Sequence, residues 1–144
     1  MKSKILFLCT GNYYRSRFAE IYFNYHAPLK GIEWEAFSKG YRAANANNIG
    51  PISVFAQDAL LQRGISDYPE RFPEQVTEED LQAAHRIIAL KEKEHRPFTK
   101  EMFPDWEHKI EFWHIDDIDV AMPHDALPRL EDKIKELMDE LIPE

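Results

Sequence analysis

The sequence predicts an α/β fold: one three-layer domain over residues 1–144, with a four-stranded parallel sheet flanked by helices on both faces. Three observations carry that prediction. Strand-like and helix-like segments alternate along the chain without a linker or a repeat, and a β-α-β-α order of this kind closes into a parallel sheet. The first segment, Lys4 to Leu8 (K-I-L-F-L), is apolar without alternation after its lysine, as in a strand buried on both faces. It runs directly into Cys9-Thr10-Gly11-Asn12-Tyr13-Tyr14-Arg15-Ser16, whose residue types suit a phosphate-binding loop between the first strand and the first helix.

The remaining elements follow in order. Ser16 to Ala27 places Phe18, Ile21, Tyr22 and Tyr25 at helical spacing. Trp34 to Ser38 alternates and reads as the second strand, at a sheet edge. Tyr41 to Gly50 is a loop rich in Asn and Ala, and Pro51 suits the start of the next helix. Ile52 to Arg63 carries Val54, Phe55, Ala59 and Leu60 at helical spacing and ends at Gly64. Asp67 to Val76, with two prolines, is loop. Thr77 followed by Glu78, Glu79 and Asp80 opens a short capped helix, because its hydroxyl and the acids satisfy the orphan amides of the first turn. Arg86 to Leu90 is the third strand, Lys91 to Met102 a polar surface helix interrupted by Pro97, Ile110 to Trp113 the fourth strand, and Leu127 to Ile142 the closing amphipathic helix. Ligands on such sheets bind beyond the carboxyl ends of the strands, where Cys9 lies.

Composition narrows the classes of function. The 26 acidic residues outnumber 18 basic ones, for a net charge of −8. That balance argues against nucleic acid, which is bound by basic faces. It also means that an anionic substrate requires a local cation against an unfavourable overall field. No apolar run approaches the ~20 residues of a membrane span, and the first residues lack a signal-peptide pattern. Cys9 is the single cysteine, so no internal disulfide forms, and a reactive thiolate points to a reducing cytoplasm. Six histidines show no metal-ligand spacing, so no metal and no cofactor is expected. The expected assembly is a monomer or weak homodimer.

The loop residues have chemical reasons to stand where they do. A thiol titrates near ~8.5 and attacks only as the thiolate, so it needs a cation or a helix N-terminus beside it. Arg15 offers a planar fork for two phosphate oxygens, which a lysine point charge does not match. Gly11 allows close backbone approach, and Asn12 tolerates the positive φ of a tight cradle. Ser16 is placed to cap the helix with its hydroxyl turned toward the sulfur. Thr10 to Ser16 contribute their amides, and Tyr13 and Tyr14 are candidates to wall the pocket against an aromatic ring; Trp34 and Tyr41 are further wall candidates. A leaving group needs a proton, and Asp116, Asp117 and Asp119 stand just past the fourth strand, on the same sheet edge as Cys9. Chemistry alone does not separate Asp116 from Asp117.

Cys9 to Glu20, C-T-G-N-Y-Y-R-S-R-F-A-E, resembles the signature C-x-G-N-x-C-R-S-P-x-A-E of the low-molecular-weight protein tyrosine phosphatases. The resemblance continues in order along the chain. Ser38-Lys39-Gly40 stands where the family has S-A-G, Gly64-Ile65 where it ends a helix with G-I, and Leu81 to Ile88 where it has D-L-x-x-A-D-x-I. Trp113 to Asp117 stands where the family has its Asp-Pro acid loop. The resemblance implies a cysteine-dependent phosphomonoester hydrolase with a phosphocysteine intermediate. Its catalytic residues are Cys9, Arg15 and Asp117; its phosphate is held by Thr10, Gly11, Asn12, Tyr13, Tyr14 and Ser16; its substrate is a phosphorylated protein or small phosphomonoester.

Four positions depart from the pattern. Tyr14 replaces the second loop cysteine, so Cys9 has no thiol partner. Arg17 replaces a proline, which predicts a second cation at the pocket edge. Ile118 replaces the proline of Asp-Pro, and the tyrosines that follow it in relatives are missing. Two alternatives stay open at this point: an arsenate reductase of the same fold drawing on an external thiol, and a non-catalytic phosphate-binding module.

Overall fold

The computed structural model describes residues 2–118 and 120–143. Its strands are β1 (Ser3–Cys9), β2 (Trp34–Gly40), β3 (Arg86–Ala89) and β4 (Glu111–Phe112). They form one sheet in the order β2-β1-β3-β4, with every neighbouring pair parallel. Among the described residues, five α-helices connect and cover them: α1 (Arg15–Leu29), α2 (Val54–Gln62), α3 (Glu78–Ala83), α4 (Glu92–Met102) and α5 (Pro123–Leu141).

The uninterrupted apolar run of β1 has the expected cause. Successive side chains of a strand point to opposite faces, and both faces here are covered. Ile5, Phe7 and Cys9 join a core with Phe18 and Phe23 of α1, Ala56 and Leu60 of α2, and Leu130 and Ile134 of α5. Leu6 and Leu8 join a second core with Leu81 of α3, Tyr41, Val76 and Ile110. Phe7 meets Phe23 edge-on at 6.4 Å and lies 6.0 Å from Trp113. Burying each such side chain contributes about 1.5–3 kcal/mol. The strand that carries the cysteine is thus anchored in both cores.

Several boundaries differ from expectation for local reasons. α2 begins at Val54, because Ser53 Oγ accepts the Phe55 N–H (3.2 Å) and caps the helix, while Pro51 precedes it. Val54 and Phe55 therefore sit on an exposed first turn instead of in the core. α5 starts four residues early, at Pro123, a residue whose missing N–H costs nothing in a first turn. α4 runs through Pro97 without interruption, and Tyr25 of α1 is exposed. Two 3₁₀ segments, Ala43–Asn45 and Pro104–Lys109, occupy stretches that carry no periodic signal. The short α3 is capped as expected: Thr77 Oγ1 accepts the Asp80 N–H, and the Asp80 carboxylate accepts the Thr77 N–H (2.9 Å). No helix among the described residues is long and apolar enough to cross a membrane.

Candidate active site

The Cys9 loop leaves the carboxyl end of β1 and closes on the first turn of α1. Three of its carbonyls are engaged by amides from other segments and a fourth by the first turn of α1. Tyr41 N–H donates to Cys9 O, Arg42 N–H to Thr10 O, Ser53 N–H to Tyr13 O and Phe18 N–H to Tyr14 O, all at 2.8–3.1 Å. With the carbonyls held outward, amides are left to face the concavity, and the Asn12 N–H donates to Cys9 Sγ at 3.3 Å. Gly40 on β2 makes the wrap possible. A Cβ there would lie 2.7 Å from Thr10 O and 2.9 Å from Asn12 N, so any side chain would push the loop out of place.

Asn12 adopts φ 52°, the left-handed conformation anticipated for it. Its side chain lies fully buried behind the loop and uses its whole bonding capacity. The amide donates to Ser16 Oγ and Ser38 Oγ (both 2.9 Å), and the carbonyl accepts from Arg71 Nη1 (2.9 Å) and the Glu74 N–H (3.0 Å). Because Ser16 Oγ already accepts from Asn12, its own proton is available to Cys9 Sγ, 2.9 Å away. Two donors thus address the buried sulfur. Ser38 in turn donates to Glu20, while Arg71 bonds Glu20 and both oxygens of Ser38.

Arg15 is 1% exposed. Its Nη2 pairs with Glu94 Oε2 at 2.8 Å and its Nη1 donates to Ile115 O at 3.0 Å. Its Nε has no partner among the described residues, leaving a donor on a guanidinium that lines the pocket. Burial opposes the Arg15 charge, but Cys9, the Glu94 hydrogen bond and Asp117 outweigh it and raise its pKa. Burial likewise opposes the Glu94 charge; hydrogen bonds from His95, Arg15 and Thr10 prevail and hold its carboxyl far below the usual range. His95 accepts the Lys91 N–H at Nδ1 (3.0 Å), which places the proton of the neutral ring on Nε2, 3.2 Å from Glu94. Burial lowers the His95 pKa, with Glu94 working the other way.

The carboxylates past β4 separate cleanly. Asp117 lines the pocket with Cys9, its Oδ2 3.4 Å from Arg15 Nη2 and its Oδ1 accepting the Ile118 N–H (2.8 Å). Asp116 forms an ion pair with Lys91. Asp119 lies outside the described residues. The pocket has a volume of about 210 Å³ and is walled by Tyr13, Tyr14, Phe55 and Ile118, with Asn48 and Ser53 as polar lining. The Tyr14 pKa is pushed up to about 12, by burial and then by Asp117, with Arg15 opposing.

Of the residues singled out in the sequence, Cys9, Gly11, Tyr13, Tyr14, Arg15 and Asp117 line this pocket, while the side chains of Thr10, Asn12 and Ser16 bond behind it. Arg17 is not at the pocket edge: it is buried and donates to the carbonyls of Pro69 and Arg71. Tyr41 and Trp34 form no wall; Tyr41 is buried on Thr99 and His95, and Trp34 packs on His85. Glu94, Arg71, Ser38, Asn48, Ser53 and Phe55 were not singled out for the site.

Fold and pocket together define the class of cysteine-dependent phosphatases. Within that class the chain belongs to the low molecular weight phosphotyrosine protein phosphatase family, whose model matches residues 4–144. It is similar to the low molecular weight protein tyrosine phosphatase of T. tengcongensis, at 28% identity over 98% of each chain and a TM-score of 0.76. The tyrosine phosphatase SP-PTP of Streptococcus pyogenes shares the fold at 20% identity, with coverage of 100% and 95% and a TM-score of 0.83. So does the YwlE arginine phosphatase of Bacillus subtilis, in a mutant whose active-site serine is phosphorylated, at 24% identity, coverage of 96% and 93% and a TM-score of 0.74. No curated protein matches the sequence.

Proposed function

We propose that this chain is a protein tyrosine phosphatase that hydrolyses phosphomonoesters by double displacement at Cys9. One observation carries the reading: Cys9 Sγ, Arg15 and Asp117 share a single pocket, with the sulfur addressed by Ser16 Oγ and the Asn12 amide. The Cys9 thiolate attacks phosphorus while Arg15 and the loop amides hold the equatorial oxygens. Asp117 gives its proton to the departing phenolic oxygen as the P–O bond breaks. The resulting carboxylate then takes a proton from water, whose oxygen attacks the phosphocysteine. The S–P bond breaks, and thiolate and inorganic phosphate are released. The phosphorylated serine in the YwlE mutant supports a covalent intermediate at this position.

The walls support an aromatic substrate. Tyr13, Tyr14 and Phe55 line the pocket with aromatic side chains suited to a phosphotyrosine ring, where the tyrosines after Asp117 are missing. Steady-state hydrolysis of p-nitrophenyl phosphate tests the nucleophile, and that of phenyl phosphate tests the acid. Cys9→Ser is expected to abolish turnover, and Asp117→Asn to lower it by roughly 10²-fold or more on substrates with poor leaving groups. Full activity in Cys9→Ser would rule out the mechanism; phosphate binding without Cys9-dependent turnover would make the protein a binding module.

A further inference from the structure

Beyond its 3.4 Å approach to Arg15 and the Ile118 N–H on its other oxygen, Asp117 is lightly held. It is 34% exposed on the side-chain scale, and Ile118 after it lacks the fixed φ of a proline. The chain just before it, in contrast, is laced to the corner between β3 and α4. Glu92 N–H donates to Trp113 O (2.9 Å), Ile115 N–H to Leu90 O (2.7 Å), and Lys91 pairs with His114 in an isolated antiparallel bridge. Asp116 closes this series through its ion pair with Lys91. It is the last side chain tied to the body of the protein before Asp117.

Lys91 is an unexpected residue for its position. It is the N-cap of α4, where the helix dipole disfavours a cation and a serine, threonine or aspartate would satisfy the orphan amides. Its side chain makes no cap hydrogen bond. Its side chain is 17% exposed, and its ammonium pairs with Asp116 instead. The same corner sends Glu94 to Arg15, so one turn of chain addresses both the phosphate clamp and the acid loop.

We propose that Lys91 and Asp116 form a positioning pair that holds Asp117 over the pocket for proton transfer to the leaving group. Neither residue touches substrate. The inference rests on Asp117 being the general acid. It also explains why two adjacent aspartates occur here: one gives the proton, the other sets where it is given.

The test is kcat/KM across a series of aryl phosphates, from p-nitrophenyl phosphate to phenyl phosphate, whose leaving group has the acidity of tyrosine, with a pKa of about 10. A misplaced acid costs little with a good leaving group and much with a poor one. Lys91→Met and Asp116→Asn are each expected to steepen this dependence, losing roughly tenfold more on phenyl phosphate than on p-nitrophenyl phosphate. Lys91→Arg should restore the wild-type slope, and Lys91→Met should cost nothing further in an Asp117→Asn background. The two single substitutions change the local charge in opposite directions, so a purely electrostatic effect on dianion binding would move them apart and leave both slopes alone. Equal losses on every substrate, opposite effects, or additivity with Asp117→Asn would overturn the pair's role. A wild-type slope in Asp117→Asn itself would remove the acid assignment, and the inference with it.

Discussion

The two loops that meet at the pocket are built to different standards. In the Cys9 loop three carbonyls are taken by amides from other segments and a fourth by the first turn of α1, and the Asn12 side chain makes four hydrogen bonds. In the acid loop, Asp117, Ile118, Val120 and Met122 are half-exposed or exposed, and Asp117 O accepts the Val120 and Ala121 amides, two residues of the same loop. The phosphate-binding half is pre-formed, so little reorganisation is left for the moment of reaction. The Asp117 half is tethered on one side and open on the other, which suits the proposed role of a group that first gives and then takes a proton at a solvent-facing mouth.

Substitutions that break the hydrogen-bonded frame of the rigid half should therefore cost both stability and turnover, whereas those at the nucleophile itself or in the acid loop should cost turnover alone. The largest effect belongs to Cys9→Ser: a loss of roughly 10³-fold or more in kcat with little change in urea midpoint. Asn12→Ala should come next. It removes four hydrogen bonds, places alanine at positive φ, and should lower stability by about 2–4 kcal/mol in urea denaturation, together with activity. Gly40→Ala should lower stability by about 1–3 kcal/mol and weaken vanadate binding, because its Cβ meets loop backbone that has nowhere to move. An unchanged inhibition constant in Gly40→Ala would show the loop to be softer than its bonding implies.

The smallest effect depends on pH. The folded pKa of Glu94 lies below its ordinary value of 4.5, so the folded state binds fewer protons there than the unfolded one. Its contribution is complete above the ordinary value and is lost as pH falls below it toward the folded pKa. Wild type should be more stable than Glu94→Gln at neutral pH, and the gap should narrow on acidification below about 4.5. A gap that stays constant down to the acid limit would mean that Glu94 acts through packing and not through charge.

What the sequence made legible was local. The C-x5-R spacing, the apolar strand before it and the helix after it all lie within 25 residues, so periodicity and loop chemistry located the fold's first unit and its nucleophile together. The aspartate pair was visible because strand ends share an edge. Chemistry alone did not separate its members, and only the resemblance favoured Asp117; the structure parts them by pairing Asp116 with Lys91, 25 residues away. Glu94 and Arg71 stayed hidden for the same reason: they reach Arg15 and Asn12 across 79 and 59 residues, inside segments that read as a surface helix and a loop. Arg17 misled because a cation beside a phosphate loop suggests a ligand role, while helical geometry turns it inward to carbonyls of the 69–71 segment. Phe55 was assigned to a core face by its spacing; the Ser53 cap instead places it on an exposed first turn.

The most direct test of the account is rapid acid quench of the wild-type enzyme mixed with an aryl phosphate labelled in its phosphoryl group, followed by mass mapping of the labelled peptide. Transfer to the sulfur of Cys9 is expected within the first turnover, in step with release of the phenol and absent from Cys9→Ser. Phenol release without a covalent phosphoryl group, or label on any other residue, would contradict double displacement at Cys9.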